Sequence, residues 1–218
     1  MKSLLAAILL ITTFTIISCH STPSETLQPD YDISQLSKDY VVFEQGSKWT
    51  YQDDSTLQKS VVEVYSSSEE IRTSSNPPYT YRAKWMWYAA NNVNLQRGEV
   101  FASNFNVGET IPNSAERIYF MDGHYKIAFA PFYPVGSPIM LGGEEGIFIN
   151  KELLPTMTLN GKTYNEVYHS VSEDLQQEAP DTVFYHFYIA KNYGLIKYTV
   201  TKKDYSTSIS LIESSLIP

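Results

Sequence analysis

From Tyr40 onward, apolar and polar residues exchange with a period close to two, the pattern of strands that bury one face. In "YTYRAKWMWY", Tyr79, Tyr81, Ala83, Trp85 and Trp87 fall on one face, with Thr80, Arg82, Lys84, Met86 and Tyr88 on the other. Ahead of it, "KWTYQDDSTLQKSVVEVY" predicts two short strands joined around Asp53-Asp54-Ser55-Thr56, and after it "NLQRGEVFAS" predicts another. Asp122-Gly123 in "RIYFMDGHYKIAFA" and Asn160-Gly161 in "MTLNGKTYNEVYHSV" predict two-residue hairpin turns, because a type I′ turn needs positive φ at both central residues. "TVFYHFYIAKNYGLIKYTVTKKDYSTSISLIES" supplies three closing strands, divided by Asn192-Tyr193-Gly194 and by Lys203-Asp204. About nine to eleven strands result, with almost no long helical pattern. The expected fold is all-β and mainly antiparallel: a curved meander sheet, built as a half-barrel or a sandwich.

The first residues follow a different pattern. Lys2 precedes an apolar run from Leu4 to Ile17, broken only by Thr12, Thr13 and Thr15. That length suits a signal sequence and is too short for a stable membrane-spanning helix. The run ends in Ile16-Ile17-Ser18-Cys19, which resembles the bacterial lipobox, an aliphatic residue two before a small one and then Cys. The resemblance implies cleavage before Cys19, a diacylglycerol on its sulfur and an acyl group such as palmitate on its amine. Several acyl chains, at about 0.8 kcal/mol per buried CH2, make a durable anchor where one is marginal. Residues 19–38, "CHSTPSETLQPDYDISQLSK", are rich in Ser, Thr and Pro and lack periodicity. They are expected to form a flexible tether carrying lipidated Cys19, with at most a short helical turn near Ile33–Leu36. Residues 39–218 are then one β domain, large enough to bury about 70% of its unfolded surface.

Composition sharpens this in two ways. Tyr is the outlier, 17 residues beside 10 Phe and 3 Trp, which favours strands. The formal net charge is −8, which argues against nucleic acid or an anionic bilayer as an electrostatic partner. Membrane attachment would come from the lipid. Cys19 is the sole cysteine, so an acylated chain has no disulfide and must be held by its core.

Two further stretches carry a resemblance. "VVFEQGSKWTY" is similar to an opening seen in many Gram-negative envelope lipoproteins, where Gly precedes a Lys/Asn-Trp-x-Tyr strand. "LNGKTYNEVYHS" followed by "FYIAKNYGLIKY" resembles their closing pattern, and related patterns occur in half-barrel domains akin to lipoprotein carriers. The resemblance implies an antiparallel sheet with an apolar concave face, held in the outer membrane and facing the periplasm. His20, the residue after the lipidated Cys, is not the Asp associated with inner-membrane retention.

Catalytic chemistry is not legible. His20, His124, His169 and His186 lack metal-ligand spacing, and no metal or other cofactor is expected. His169 and His186 lie on predicted strands that could bring them together, and are read as ordinary hydrogen-bonded strand residues. "NGKT" at 160–163 is no phosphate loop, since Thr156 stands where that motif needs Gly and a strand follows. "VGSPIMLGG" is not a nucleophile elbow. The adjacent acidic pairs Asp53-Asp54 and Glu144-Glu145 suit solvated turns. The expectation is therefore not an enzyme.

Two features point to binding instead. "VFYHFYIA" is apolar on both faces, so Phe184 and Tyr188 either pack under a second layer or line a ligand cavity. The segment "FAPFYPVGSPIMLGGEEG", residues 129–146, sets Phe132, Tyr133, Ile139, Met140 and Leu141 among Pro and Gly. It is either a crossover folded over the sheet end or an apolar flap that touches a ligand, a partner or a membrane leaflet. The leading expectation is a non-catalytic binding or carrier module for an apolar small molecule or lipid. The alternative is an accessory subunit of an envelope protein complex.

Overall fold

The computed structural model describes residues 33–75, 78–90, 97–102, 118–121, 125–140, 146–174 and 182–217. Cys19, His20, Asp122, Gly123, His124, Leu141, Glu144 and Glu145 lie outside the described residues, as do the lipobox and most of the tether.

One helix, α1 (Gln35–Val41), precedes twelve strands: β1 (Lys48–Asp53), β2 (Lys59–Ser75), β3 (Pro78–Ala90), β4 (Arg97–Ala102), β5 (Ile118–Met121), β6 (Tyr125–Phe129), β7 (Ile139–Met140), β8 (Ile147–Leu159), β9 (Lys162–Asp174), β10 (Val183–Ala190), β11 (Gly194–Lys202) and β12 (Tyr205–Ser215). They form one antiparallel sheet in the order β6-β5-β4-β3-β2-β1-β12-β11-β10-β9-β8-β7. The first and last strands pair in the middle, Trp49 opposite Ser214, so each half of the chain winds outward as a meander. The sheet curls into a half-barrel, which brings β6 over β9. The meander expected from alternation is present, with more and longer strands than the turn signals implied.

The turns account for the register. Asn160 and Gly161 have φ of 51° and 77° and separate the paired residues Leu159 and Lys162, a two-residue I′ hairpin. Lys203-Asp204 likewise lies between the paired Lys202 and Tyr205. β5 and β6 pair Met121 with Tyr125, so three residues stand between them where two were expected. In the β1–β2 turn, the Asp53 carboxylate accepts from Ser55 N (2.9 Å), Ser55 Oγ (2.6 Å) and Thr56 N (2.7 Å). The Ser55 hydroxyl bond leads the effects that hold the Asp53 carboxyl far below the usual carboxylate range.

β8 and β9 bend. Lys151 is bulged out of the ladder, and Pro155 and Glu166 also drop out of it, Glu166 with φ of 48°. The kink lays the hairpin tip over the sheet, where Asn160 Nδ2 donates to Leu211 O at 2.9 Å. Lys162 Nζ then sits 4.0 Å from the Tyr193 ring centre.

α1 begins inside the stretch expected to be a tether. Ser34 caps it, its Oγ accepting from Ser37 N at 3.1 Å, and Ile33, Ser37, Tyr40 and Val41 are buried. Tyr40 stacks on Phe129 of β6 (5.1 Å) and meets Tyr168 of β9 edge-on (5.2 Å), while Phe129 and Tyr168 meet at 5.1 Å. This aromatic triangle joins helix to both walls of the curl. Such ring pairs contribute about 0.5–1.5 kcal/mol each beyond area burial. Burial lifts the Tyr40 phenol well above its ordinary range. The concave face in this region is thus filled by α1 and its own aromatic rings.

Candidate functional site

With the concave face filled, a cleft remains beside the helix. It measures about 650 Å³ and is lined by Gln35, Lys38 and Asp39 of α1, by Val42, Phe43 and Glu44 just after it, by Glu69 of β2 and Lys84 of β3, and by Asn192 and Leu216. That volume falls within the ordinary range of small-molecule sites.

Each wall has a local cause. Phe43 meets Trp49 edge-on at 5.2 Å and lies against Gly194, where a Cβ would come within 2.9 Å of the Phe43 ring. Gly194 also has φ of 73°, a conformation glycine adopts freely. Trp49 Nε1 donates to Tyr193 O (2.8 Å) and Tyr51 Oη to Leu195 O (2.7 Å). The "KWTY" opening and the "AKNYGLIKY" hairpin therefore touch in space and jointly seat Phe43. The C-terminal segment is clamped by Ser47, whose buried hydroxyl donates to Ile217 O (3.1 Å) and accepts from Ile217 N (2.9 Å), setting Leu216 in place.

Along the cleft, Lys84 Nζ donates to Glu44 Oε1 at 2.8 Å, and Ser67 Oγ donates to Glu44 Oε2 at 2.8 Å. The Lys84 side chain is only 10% exposed. Hydrogen bonding from Lys84, ahead of the Ser67 bond, holds the Glu44 carboxyl below its usual range, so Glu44 stays ionised at neutral pH. At the rim, Asp39 Oδ1 accepts from Gln35 Nε2 at 2.6 Å and Lys191 Nζ stands 3.9 Å from Asp39 Oδ2.

A second cluster lies on the outer face of β8–β10. Glu152 and Tyr188 both stand opposite His169 in the ladder. His169 Nδ1 is 3.0 Å from Glu152 Oε1, its Nε2 is 3.1 Å from His186 Nδ1, and its ring stacks on Tyr188 at 4.3 Å. With Glu152 ionised, His169 donates through Nδ1 and accepts from His186 Nδ1–H, which leaves the His186 Nε2 lone pair free of partners among the described residues. Burial lowers both histidine pKa values, and the nearby Lys151 charge adds to this; His186 is lowered further by His169. The relay holds neutral imidazoles in defined tautomers. The two histidines expected to be ordinary strand residues are hydrogen-bonded to one another. Among the described residues no set of three or more His, Cys, Asp or Glu could hold a metal ion.

The residues singled out from sequence do not form one site. Tyr133 is buried in a small cluster with Ile127, Ala130 and Phe148, and Phe132 beside it is half-buried. Ile139 and Met140 form β7, pairing with Phe148 and Ile147. Phe184 is exposed on the outer face of β10, opposite to the side on which Tyr185 and Phe148 sit, and Tyr188 covers His169. The cleft residues were missed. Lys84 falls on the strand face with Thr80, Arg82, Met86 and Tyr88, and its one sequence signal is a lone cation inside the aromatic run "AKWMW".

No family model and no curated protein sequence matches the chain. A crystal structure from Parabacteroides distasonis ATCC 8503, provisionally named a lipoprotein, aligns with 79% of this chain and 97% of its own at 13% identity and a TM-score of 0.34. A likeness that distant carries no argument about function. No helix among the described residues is long and apolar enough to cross a membrane.

Proposed function

We propose that this protein is a lipid-anchored lipoprotein of the Gram-negative envelope, held at the outer membrane through Cys19 and facing the periplasm. Its role is non-catalytic: it binds an apolar ligand in the cleft beside α1. The observation that carries this reading is the cleft itself, about 650 Å³ with Val42, Phe43 and Leu216 as apolar lining and the Lys84–Glu44 pair in its wall. Apolar side chains with fixed polar groups beside them are the usual makings of a ligand site, and here Val42, Phe43 and Leu216 stand among Gln35, Lys38, Asp39, Glu44, Glu69, Lys84 and Asn192.

The test is native mass spectrometry of the full chain released from dodecyl maltoside micelles doped with laurate or monolauroylglycerol. A one-to-one adduct is expected with at least one of the two, and it should vanish in Val42→Ser/Leu216→Ser while the melting temperature stays within a few degrees. Absence of any adduct on the folded wild-type chain overturns the reading.

The exposed apolar residues Leu57, Val61 and Tyr65 along the β1–β2 hairpin support a second reading, an accessory subunit of an envelope complex. Crosslinking from position 61 in intact cells to one stoichiometric protein would favour it.

A further inference from the structure

Resting on the reading of the cleft as a ligand site, we infer that the tip of the β8–β9 hairpin is a strap that regulates the cleft through the turn between β10 and β11. The strap has a hinge in both of its strands. Leu154 pairs with Val167 and Thr156 with Asn165, while Pro155 and Glu166 between them drop out of the ladder. Pro155 has no N–H to donate, and Glu166 has φ of 48°, unfavourable for a residue with a Cβ. Beyond the hinge the two arms stay paired as far as Leu159 and Lys162, and the Thr158 and Thr163 hydroxyls bond at 3.1 Å, so the tip moves as one piece. Of residues 156–165 only Tyr164 is fully buried, with Met157 and Leu159 half-buried. A unit that buries so little detaches at lower cost than the whole fold unfolds.

The turn at residues 191–194 touches strap and cleft in alternation. Lys191 Nζ donates to both Glu166 carboxylate oxygens at 3.2 Å, at the hinge. Tyr193 meets Tyr164 edge-on at 5.0 Å and carries the Lys162 ammonium over its ring. Asn192, between them, lines the cleft, and its backbone N–H donates to Asp39 O on α1 at 2.6 Å. Gly194 lies against Phe43 of the cleft wall. Lys191 also reaches toward α1, with its Nζ 3.9 Å from Asp39 Oδ2. Lifting the strap therefore frees Lys191 and Tyr193 and loosens the wall that Asn192 and Gly194 support. The coupling is reciprocal: a ligand that favours the closed wall holds the strap down by the same factor.

Hydroxyl-radical footprinting of the full chain in dodecyl maltoside micelles tests this, read at Met157 and Tyr164 under the strap and at Phe43 in the cleft wall. Asn160→Gly/Lys162→Ala removes the Asn160 bond to Leu211 O and the cation over Tyr193, and glycine keeps the positive φ of the turn. In this variant oxidation of Tyr164 and of Phe43 should each rise at least threefold. Adducts with laurate or monolauroylglycerol in native mass spectrometry should fall at least threefold. Lys191→Met should repeat both changes. Phe148, buried in the separate cluster with Tyr133, should stay unoxidised, which distinguishes local release from unfolding. A rise at Tyr164 with Phe43 and the adducts unchanged overturns the coupling. Unchanged Tyr164 oxidation in both variants overturns the strap. If neither probe binds the wild type, the reading of the cleft falls, and the joint response of Tyr164 and Phe43 still decides the coupling.

Discussion

Asn150→Ala tests whether the segment between β6 and β7 is a packed crossover. Asn150 is fully buried, and its side-chain amide donates to Ala130 O (2.7 Å) and Tyr133 O (3.1 Å) while its Oδ1 accepts from Ser170 Oγ (3.0 Å). Its backbone carbonyl accepts from Gly136 N at 2.8 Å, a bond the substitution leaves intact. Ala130 O keeps a second partner in Tyr133 N, so truncation removes one bond to Tyr133 O and leaves the Ser170 hydroxyl without its Asn150 acceptor. Leaving one buried polar group unsatisfied costs about 1–3 kcal/mol. The Ser170 hydroxyl left without its acceptor, together with the lost amide bonds to Ala130 O and Tyr133 O, gives an expected loss of about 2–4 kcal/mol, against a total stability of about 5–15 kcal/mol. For a domain of this size that is a melting-point drop of about 5–15 °C. Ser170→Ala removes one of the bonds and should cost about 1 kcal/mol. Urea unfolding followed by Trp fluorescence measures both. An Asn150→Ala loss below about 0.5 kcal/mol would refute the staple and return the segment to the status of a loose flap.

Four other outcomes follow from single contacts. Ser172→Ala should leave stability unchanged or raise it in the same urea assay, because the Ser172 hydroxyl is buried without a hydrogen-bond partner among the described residues. Gly194→Ala should cost about 2–4 kcal/mol, since it adds a Cβ 2.9 Å from Phe43 to the strain of positive φ, whereas Gly136→Ala, with φ of 86° and open space, carries only the strain of about 1–2 kcal/mol. His169 and His186 have folded pKa values below the unfolded one, so their contribution to stability is complete above about pH 6.5 and is lost as pH falls below it; His169→Gln/His186→Gln should flatten the slope of stability between about pH 5 and 7. Cys19→Ala should shift the protein from the membrane fraction to the soluble fraction or leave it uncleaved, and normal processing with unchanged sedimentation would defeat the lipid anchor.

Fold class was legible because both of its determinants are local. Asn160-Gly161 dictates its own turn geometry, and period-two alternation dictates which side of "VFYHFYIA" faces inward: Val183, Tyr185, Phe187 and Ile189 are buried and Phe184 is exposed. The apolar second face that suggested a cavity has another explanation, since Tyr188 stacks on His169 and needs no ligand. Long-range placements were not legible. Nothing in "DISQLSKDYVVF" says that Tyr40 will meet Phe129 and Tyr168, partners 89 and 128 positions away in the chain. The cleft depends on that docking, since Phe43 and Glu44 are positioned by the chain leaving α1. The His169–His186 contact required the register of β9 against β10, in which Tyr188 rather than His186 stands opposite His169.

The topology also explains why the cleft lies beside the helix. The strand order is that of an up-and-down barrel with one seam missing, between β6 and β7, and the chain itself bridges that seam. A closed barrel of twelve strands would enclose a lumen wider than side chains fill. Here β6 instead folds inward over β9, and the inward positions carry Tyr40, Tyr51, Phe129, Phe187 and Tyr168, rings large enough to occupy the reduced space with one short helix. The cleft lies between α1 on one side and Glu69 of β2 and Lys84 of β3 on the other. Enlarging it should therefore require loosening α1. Ser34→Ala, which removes the helix cap and costs about 1 kcal/mol, should weaken ligand capture by the full chain together with stability. If ligand capture were instead unchanged while stability fell, the cleft wall would not depend on the docked helix.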